Sequence, residues 1–265
     1  MKTLISRNLL LLYLSLTLNY FPAAAQSPYE TETSREIGIS AAGTGLLGTG
    51  FYLSQGVAPL TEEQVNSLSK NDINPLDRWV TGHWSPKAGK LSDMLRNVSL
   101  LSPFALLASE TVRKDAGIVG LMYVETLLLS SAGTMLSKGI FKRTRPFTYN
   151  PDVPMSLKAG NKDARRSFYS GHTTIAFASS FFLAKVYGDF YPDSDYKPLV
   201  WGGAIAISSA VGLLRMLAGK HFLTDVLAGG AIGGLIGYGV PAIHKRGGEK
   251  SPSSREVMLS MTIRF

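Results

Sequence analysis

Three short stretches of this sequence carry side chains that could do chemistry together. The first is S-K-G-I-F-K-R-T-R-P-F, in which Lys138 and Arg145 stand two helical turns apart and Pro146 follows at once. If a helix continues through them, both cations point the same way before the proline ends it. The second is S-G-H at 170–172, directly before the apolar run T-T-I-A-F-A-S-S-F-F-L-A. A helix opening there offers free N–H groups and a partial positive charge to an anion. Gly171 would let the backbone approach a ligand closely, and His172 stands beside that position. The third is L-L-R-M-L-A-G-K-H-F-L-T-D, which holds Arg215, His221 and Asp225. On a helix His221 and Asp225 share a face and can bond. A carboxylate on one imidazole nitrogen fixes the tautomer and frees the other nitrogen as base or nucleophile.

Each stretch alone has a plain structural reading: a basic helix end at a membrane surface, a serine N-cap with a solvated histidine, a buried His–Asp pair. Together they are more specific. Three fixed cations and a helix N-terminus match the three non-bridging oxygens of a phosphoryl group. One oriented histidine can attack phosphorus while the second protonates the leaving oxygen, and such chemistry needs mainly positioning and charge stabilisation.

The composition fits that chemistry. The 265 residues suit one domain or two small ones. Charged residues make up 17%, below the roughly 25% of soluble domains, so either the core is large or part of the surface faces lipid. A net charge of +8 points to anionic partners. Nucleic acid is not one of them, because the positive charge clusters in the motif loop and no binding motif accompanies it. The absence of cysteine excludes disulfides, thiol catalysis and thiolate metal sites. No histidine or acidic cluster has ligand spacing in the sequence, so neither a metal nor another cofactor is expected.

The elements that must position these residues read as helices. Residues 1–25 have the layout of a signal peptide: Lys2 and Arg7, a leucine-rich run, then A-A-A before Gln26. Its removal leaves a net charge of 8 − 2 = +6. Residues 26–243 form the helical domain, an all-α bundle of about six apolar helices embedded in a membrane. The runs at 37–57, 116–137, 198–214 and 226–243 reach the ~17–25 residues that a span requires; those at 97–109 and 171–184 are shorter. Glu125 is the one charge in the run at 116–137. Residues 26–35 read as loose, and 138–170 as an irregular basic loop. Gly229, Gly233 and Gly237 recur every four residues and make a smooth face for close helix packing. Residues 244–265 read as a basic tail, ending in a strand-like alternation of Val257, Leu259, Met261, Ile263 and Phe265. His83 and His244 read as non-catalytic.

Lys-x6-Arg-Pro, then Ser-Gly-His, then Arg-x5-His-x3-Asp, in that order, resembles the type-2 phosphatidic acid phosphatase superfamily. That superfamily includes lipid phosphate phosphatases, bacterial class A acid phosphatases and vanadium haloperoxidases. The resemblance covers residues 75–240 and departs from the pattern at two places. Tyr169 stands where the family usually has proline, and Leu214 where it usually has serine. Neither is a charged or nucleophilic member of the pattern. By this resemblance Lys138, Arg145 and Arg215 would hold phosphate oxygens, assisted by Ser170 and the Gly171 N–H. His221 would be the nucleophile that forms a phosphohistidine, oriented by Asp225, and His172 the general acid.

The long apolar runs and the form G-K-H-F-L-T-D-V-L-A-G-G look more like the membrane branch. That implies a metal-independent phosphatase acting on a lipid phosphate or pyrophosphate of the lipid A, undecaprenyl pyrophosphate, phosphatidylglycerophosphate or phosphatidic acid class. The alternative is a soluble periplasmic acid phosphatase acting on small phosphomonoesters. The expected place is the bacterial envelope, in the inner membrane with a periplasm-facing site, with periplasmic or outer-membrane association as the alternatives. Two topology signals conflict. A cleaved leader followed by three crossings puts the site in the cytoplasm, whereas the basic residues after 243 put it outside.

Overall fold

The computed structural model describes residues 27–246. The leader expected at 1–25 and the alternating segment at 257–265 lie outside them. Six long helices make the bundle: α1 (Thr33–Gln55), α2 (Pro86–Leu101), α3 (Ala116–Phe141), α4 (Gly171–Phe190), α5 (Lys197–Leu217) and α6 (Leu223–His244). Five of them overlap the apolar runs at 37–57, 116–137, 171–184, 198–214 and 226–243, whereas α2 lies mostly in the polar stretch before the run at 97–109, the rest of which forms a 3-10 segment, Ser102–Ala108. The fold is all-α. Among the described residues the one β-type pairing is an isolated bridge between Tyr29 and Lys245.

Glycines set the closest helix contacts. A Cβ added to Gly229 would lie within 3.0 Å of the Ser170 carbonyl oxygen, one on Gly233 within that distance of Thr174 O, and one on Gly237 of Ala178 O. Each step of four along α6 is therefore matched by a step of four along α4, so the two helices run parallel and touch backbone to backbone. The α1–α3 pair is built the same way. A Cβ on Gly43 would meet the Leu128 side chain at 2.7 Å, and one on Gly50 would collide with the Leu136 backbone. Helices α1 and α3 end, and α2, α4 and α6 begin, at one end of the bundle; α5 returns to it. Three passes precede the connection from Lys142 to Tyr169 and three follow it.

The segments just outside α1 and α6 meet at the other end. Glu30 N donates to His244 O at 2.9 Å, and Arg246 N to Pro28 O at 3.0 Å. The expectation of a loose segment at 26–35 fails at Tyr29, which is fully buried and donates its hydroxyl to Asp189 at 2.8 Å. Tyr29 belongs to the larger apolar core with Val112, Met122, Phe182, Val186 and Val240. A smaller core of Ile73, Val80, Met216, Phe222 and Val226 lies under the opposite end.

Three helices, beginning at Ala116, Lys197 and Leu223, are long and apolar enough to cross a membrane by length and composition. The run at 37–57, expected as a fourth, is long enough as α1 but is not among these, because its glycines, serines and threonines dilute it. Large apolar side chains face outward along the flank, among them Leu199 (71% exposed), Leu227 and Leu235 (72% exposed).

Helix α3 stops before Arg145. Lys142 takes a left-handed conformation, φ 47° and ψ 33°, and turns the chain. The following segment contains short helical turns at Pro146–Tyr149, Met155–Lys158 and Lys162–Arg165. It is fixed by backbone bonds from Arg145 N to Ala164 O (2.8 Å), Phe147 N to Gly219 O (2.9 Å) and Ser167 N to Arg143 O (2.9 Å).

Candidate active site

The three motif stretches converge at the end of the bundle where α4 and α6 begin. Lys138 lies in the last turn of α3, and its Nζ is 3.6 Å from the point a Cβ on Gly171 would occupy. That Cβ would also clash with the Thr134 methyl group at 2.9 Å. Gly171 is thus required by the close crossing of α3 over the start of α4. Lys138 and Arg145 meet through the chain reversal at Lys142 rather than along one helix face.

Arg145 is 3% exposed and locked at three nitrogens. Nε donates to Asp163 O, Nη2 to Asp163 Oδ1 and Nη1 to Lys220 O, each at 2.8 Å. Nη1 also lies 3.1 Å from His221 Nε2. The His221 ring is buried, and its Nδ1 is 2.8 Å from the carbonyl oxygen of Ser167. A carbonyl can only accept, so Nδ1 carries the hydrogen and Nε2 presents a bare lone pair toward Arg145. Burial, and then the charges of Arg145, Arg215, Lys138 and His172, hold the His221 pKa well below the usual imidazole value. The ring is neutral.

Asp225 does not bond His221 directly. Its Oδ2 stands 3.7 Å from Nδ1. That oxygen instead accepts from the Ser167 hydroxyl and from Phe222 N at 2.9 Å, while Oδ1 accepts from Arg143. The expected i,i+4 bond is missing because the carboxylate turns back to cap the first turn of its own helix. Arg143 also pairs with the fully buried Asp77 at 2.7 Å and lies 4.3 Å from the centre of the Phe222 ring. Asp77 in turn accepts from Thr224 N at 2.9 Å and from its hydroxyl at 2.6 Å. This network ties the start of α6 to the turns around residues 74–78.

Ser170 is the N-cap of α4. Its buried hydroxyl accepts from Thr173 N and bonds the Thr173 hydroxyl at 2.8 Å, and its own N–H donates to Asp225 O at 3.1 Å. Its hydroxyl is spent on the helix end, as the plain reading of the sequence has it. His172 Nε2 lies 2.7 Å from Asp93 Oδ1, and the same oxygen is 3.5 Å from Arg215 Nη1. Arg215 further donates to Ser92 Oγ at 3.3 Å, and its buried Nε has no hydrogen-bond partner among the described residues. A buried, unpartnered guanidinium donor in a cationic pocket is suited to receiving an anion.

The structure brings together all eight residues singled out by the sequence. It adds five that sequence reasoning missed: Asp77, Asp93, Arg143, Asp163 and Ser167. The only sequence signals near them are turn-like N-P-L-D-R and the basic cluster around K-R-T-R. Tyr169, the departure from the expected proline, is buried with its hydroxyl over Gly133, where a Cβ could not fit.

The fold and the site define a six-helix bundle with a three-cation pocket around a neutral, buried imidazole. Residues 119–249 match the model of the PAP2 superfamily. It is 25% identical over 149 residues to a lipid A 4'-phosphatase of Porphyromonas gingivalis; the match covers 56% of this chain and 59% of that protein. The chain thus spans less than two thirds of that relative's length. A solved transmembrane PAP2-type phosphatidylglycerolphosphate phosphatase from Bacillus subtilis is similar at 20% identity and a TM-score of 0.39, covering 89% of this chain and 94% of that one.

Proposed function

We propose that this protein is a membrane phosphatase that hydrolyses a lipid phosphate monoester or pyrophosphate through a phosphohistidine on His221. One observation carries the reading: the bare Nε2 of a neutral His221 faces Arg145 inside a pocket of three cations. Lys138, Arg145 and Arg215 hold the phosphoryl oxygens, together with the N–H groups at the start of α4. His221 Nε2 attacks phosphorus, so a P–N bond forms as the P–O bond to the leaving group breaks. Burial and the charges of Arg215 and Arg96 hold the free His172 ring toward its neutral form, so it acts as the acid only once the bound phosphate's negative charge has drawn a proton onto it. The imidazolium then gives its Nε2 proton to that oxygen and becomes neutral. Water then attacks the phosphohistidine, returns a proton to His172 and releases phosphate, which restores His221. The negative charge is met by side chains, so the reading requires no metal in this pocket.

The outward apolar flank supports a membrane setting. A groove of about 840 Å³ between α4, α5 and α6 is lined by Phe177, Phe181, Trp201, Leu213, Leu227 and Leu235, and reaches Met216 and Val226 beneath Phe222. It offers acyl chains a path along the bundle while the headgroup reaches the pocket. Each CH2 left in the apolar phase saves about 0.8 kcal/mol over extraction into water. Among the named classes the Porphyromonas relative favours lipid A. Lys245 and Arg246 follow α6 at the end away from the pocket, which by the positive-inside tendency favours a periplasm-facing site in the inner membrane. In that orientation Tyr29 lies on the cytoplasmic side, so a periplasmic site and a leader cleaved at residue 25 are mutually exclusive.

The test is turnover by purified protein in detergent on lipid A, undecaprenyl pyrophosphate, phosphatidylglycerophosphate and phosphatidic acid, against p-nitrophenyl phosphate. Preference for a lipid, with an acid-labile, base-stable phosphoenzyme lost in His221→Ala, is expected. Higher turnover on the small ester by protein that leaves the membrane fraction without detergent would overturn the lipid reading.

A further inference from the structure

A second cluster of chemistry-bearing side chains lies at the far end of the bundle. Glu36 sits in the first turn of α1, Glu125 in the third turn of α3, and His244 ends α6. All three are buried, Glu125 and His244 at 0% exposure. His244 Nε2 is 2.9 Å from Glu36 Oε2 and 3.2 Å from Glu125 Oε2. The 19 residue steps of α6 from Asp225 to His244 span about 28 Å, so this cluster is remote from the phosphoryl pocket.

The orientation of the imidazole is the informative detail. His244 Nδ1 donates to the carbonyl oxygen of Val240 at 2.8 Å. The neutral ring therefore aims the lone pair of Nε2 at two carboxylate oxygens, an arrangement that repels unless a cation lies between them. A proton on Nε2 can point at one carboxylate at a time. With Glu36 taking it, Glu125 must either hold a second proton shared with Glu36 or keep both oxygens buried and unpartnered, which is costly for a carboxylate. A divalent ion meets all three donors at once and cancels both negative charges. The surroundings favour that occupant. Glu36 Oε1 is held by Arg35 Nη2 at 2.8 Å and by Glu32 N at 3.0 Å, which turns Oε2 inward. The Nδ1–H to carbonyl bond is the support that metal-bound histidines commonly have. Nitrogen and oxygen ligands about 2.0–2.2 Å from a tetrahedral Zn2+ stand roughly 3.3 Å apart, close to the separations seen.

We propose that Glu36, Glu125 and His244 form a binding site for a divalent cation of the Zn2+ type, with one nitrogen and two carboxylate ligands, clamping α1, α3 and α6 together at the end opposite the pocket. The site stands apart from the reading of the phosphoryl pocket and does not depend on it.

The experiment uses the full chain, purified in detergent, stripped with EDTA and titrated with ZnCl2 alone, followed by calorimetry and by elemental analysis after desalting. Uptake of one Zn2+ per chain and a rise in thermal midpoint of several degrees, reversed by EDTA, are expected. Glu125→Gln, nearly isosteric, should lose both while phosphatase turnover at a temperature below its midpoint is kept. No stoichiometric uptake by the wild type would overturn the site and leave shared protons as what holds the cluster. Equal uptake by Glu125→Gln would also overturn it, since the ion would then sit elsewhere. Should that variant fail to fold, zinc K-edge absorption of the wild type decides. One imidazole with oxygen neighbours supports the site, and two or more imidazoles refute it.

Discussion

The backbone carbonyl of Ser167 fixes the tautomer of His221: Nδ1 donates to it at 2.8 Å, and the Ser167 hydroxyl in turn donates to Asp225. The proposed nucleophile is therefore oriented by a main-chain group, which Asp225 holds at one remove. His221→Ala should reduce turnover to background. Asp225→Asn and Ser167→Ala should each lower kcat by about 10-fold, the effect of one weakened hydrogen bond to a charged group. Because both act through one contact, the double variant should lose less than the product of the two. A double-mutant cycle on kcat checks this, and full additivity would refute the indirect link.

His221 should stay neutral through the range in which an ordinary imidazole titrates. Its pKa is depressed by burial and by neighbouring cations, so protonation, and with it loss of the lone pair, begins only as pH falls well below the ordinary imidazole range. The chain has four histidines, few enough for imidazole NMR of selectively labelled protein with each assigned by substitution. A His221 midpoint inside that window would contradict the tautomer and charge argued for it. Lys138→Met removes one of the cations and should move the midpoint upward.

Asp93 places a carboxylate against His172 and Arg215, where it competes with an incoming anion for both. Asp93→Asn should tighten inhibition by vanadate about 3- to 10-fold, equivalent to roughly 0.7–1.4 kcal/mol, and should lower KM. It should also lower kcat, since His172 loses the group that holds its Nε2–H in place. Weaker vanadate binding would show that Asp93 assists the anion instead.

The glycine contacts give a paired test of stability. Gly233→Ala forces a Cβ into the Thr174 backbone and should destabilise by about 1–3 kcal/mol. Gly239→Ala, in the same helix with nothing within 4 Å, should be neutral or stabilise by up to about 1 kcal/mol. Thermal unfolding in detergent compares them directly.

Sidedness can be read with single cysteines, since the chain has none. Asp152→Cys lies at the pocket end and Asp193→Cys in the turn between α4 and α5 at the other; both positions are exposed. An impermeant maleimide should label only Asp152→Cys from the periplasm, and the purified protein should retain residues 1–25. The reverse labelling would put the pocket in the cytoplasm.

Much of this was legible in the residues themselves. Five of the apolar runs became helices, because length and apolar content are local properties; α2 escapes that reading because most of it, 86–96, lies in the polar stretch. The motif residues met because each sits at or next to a helix end. The side-chain pairing was less accessible. The spacing of His221 and Asp225 allowed a bond, but the choice between that bond and the cap of α6 depends on Ser167, which arrives from another loop. Asp93 and His172 are 79 positions apart, and Glu36 and His244 are 208 apart, so no periodicity links them. Reading Tyr29 as loose failed for the same reason: its burial depends on the far end of α6.

The contact between α4 and α6 behaves as a toothed rack. Ser170, Thr174 and Ala178 engage Gly229, Gly233 and Gly237, and a slip of one tooth would shift one helix by about 6 Å. No intermediate setting is open to it. The start of α4, proposed to receive the anion, and the start of α6, which follows His221, therefore move as one rigid block. Any breathing that admits a bulky substrate must fall to elements outside that block.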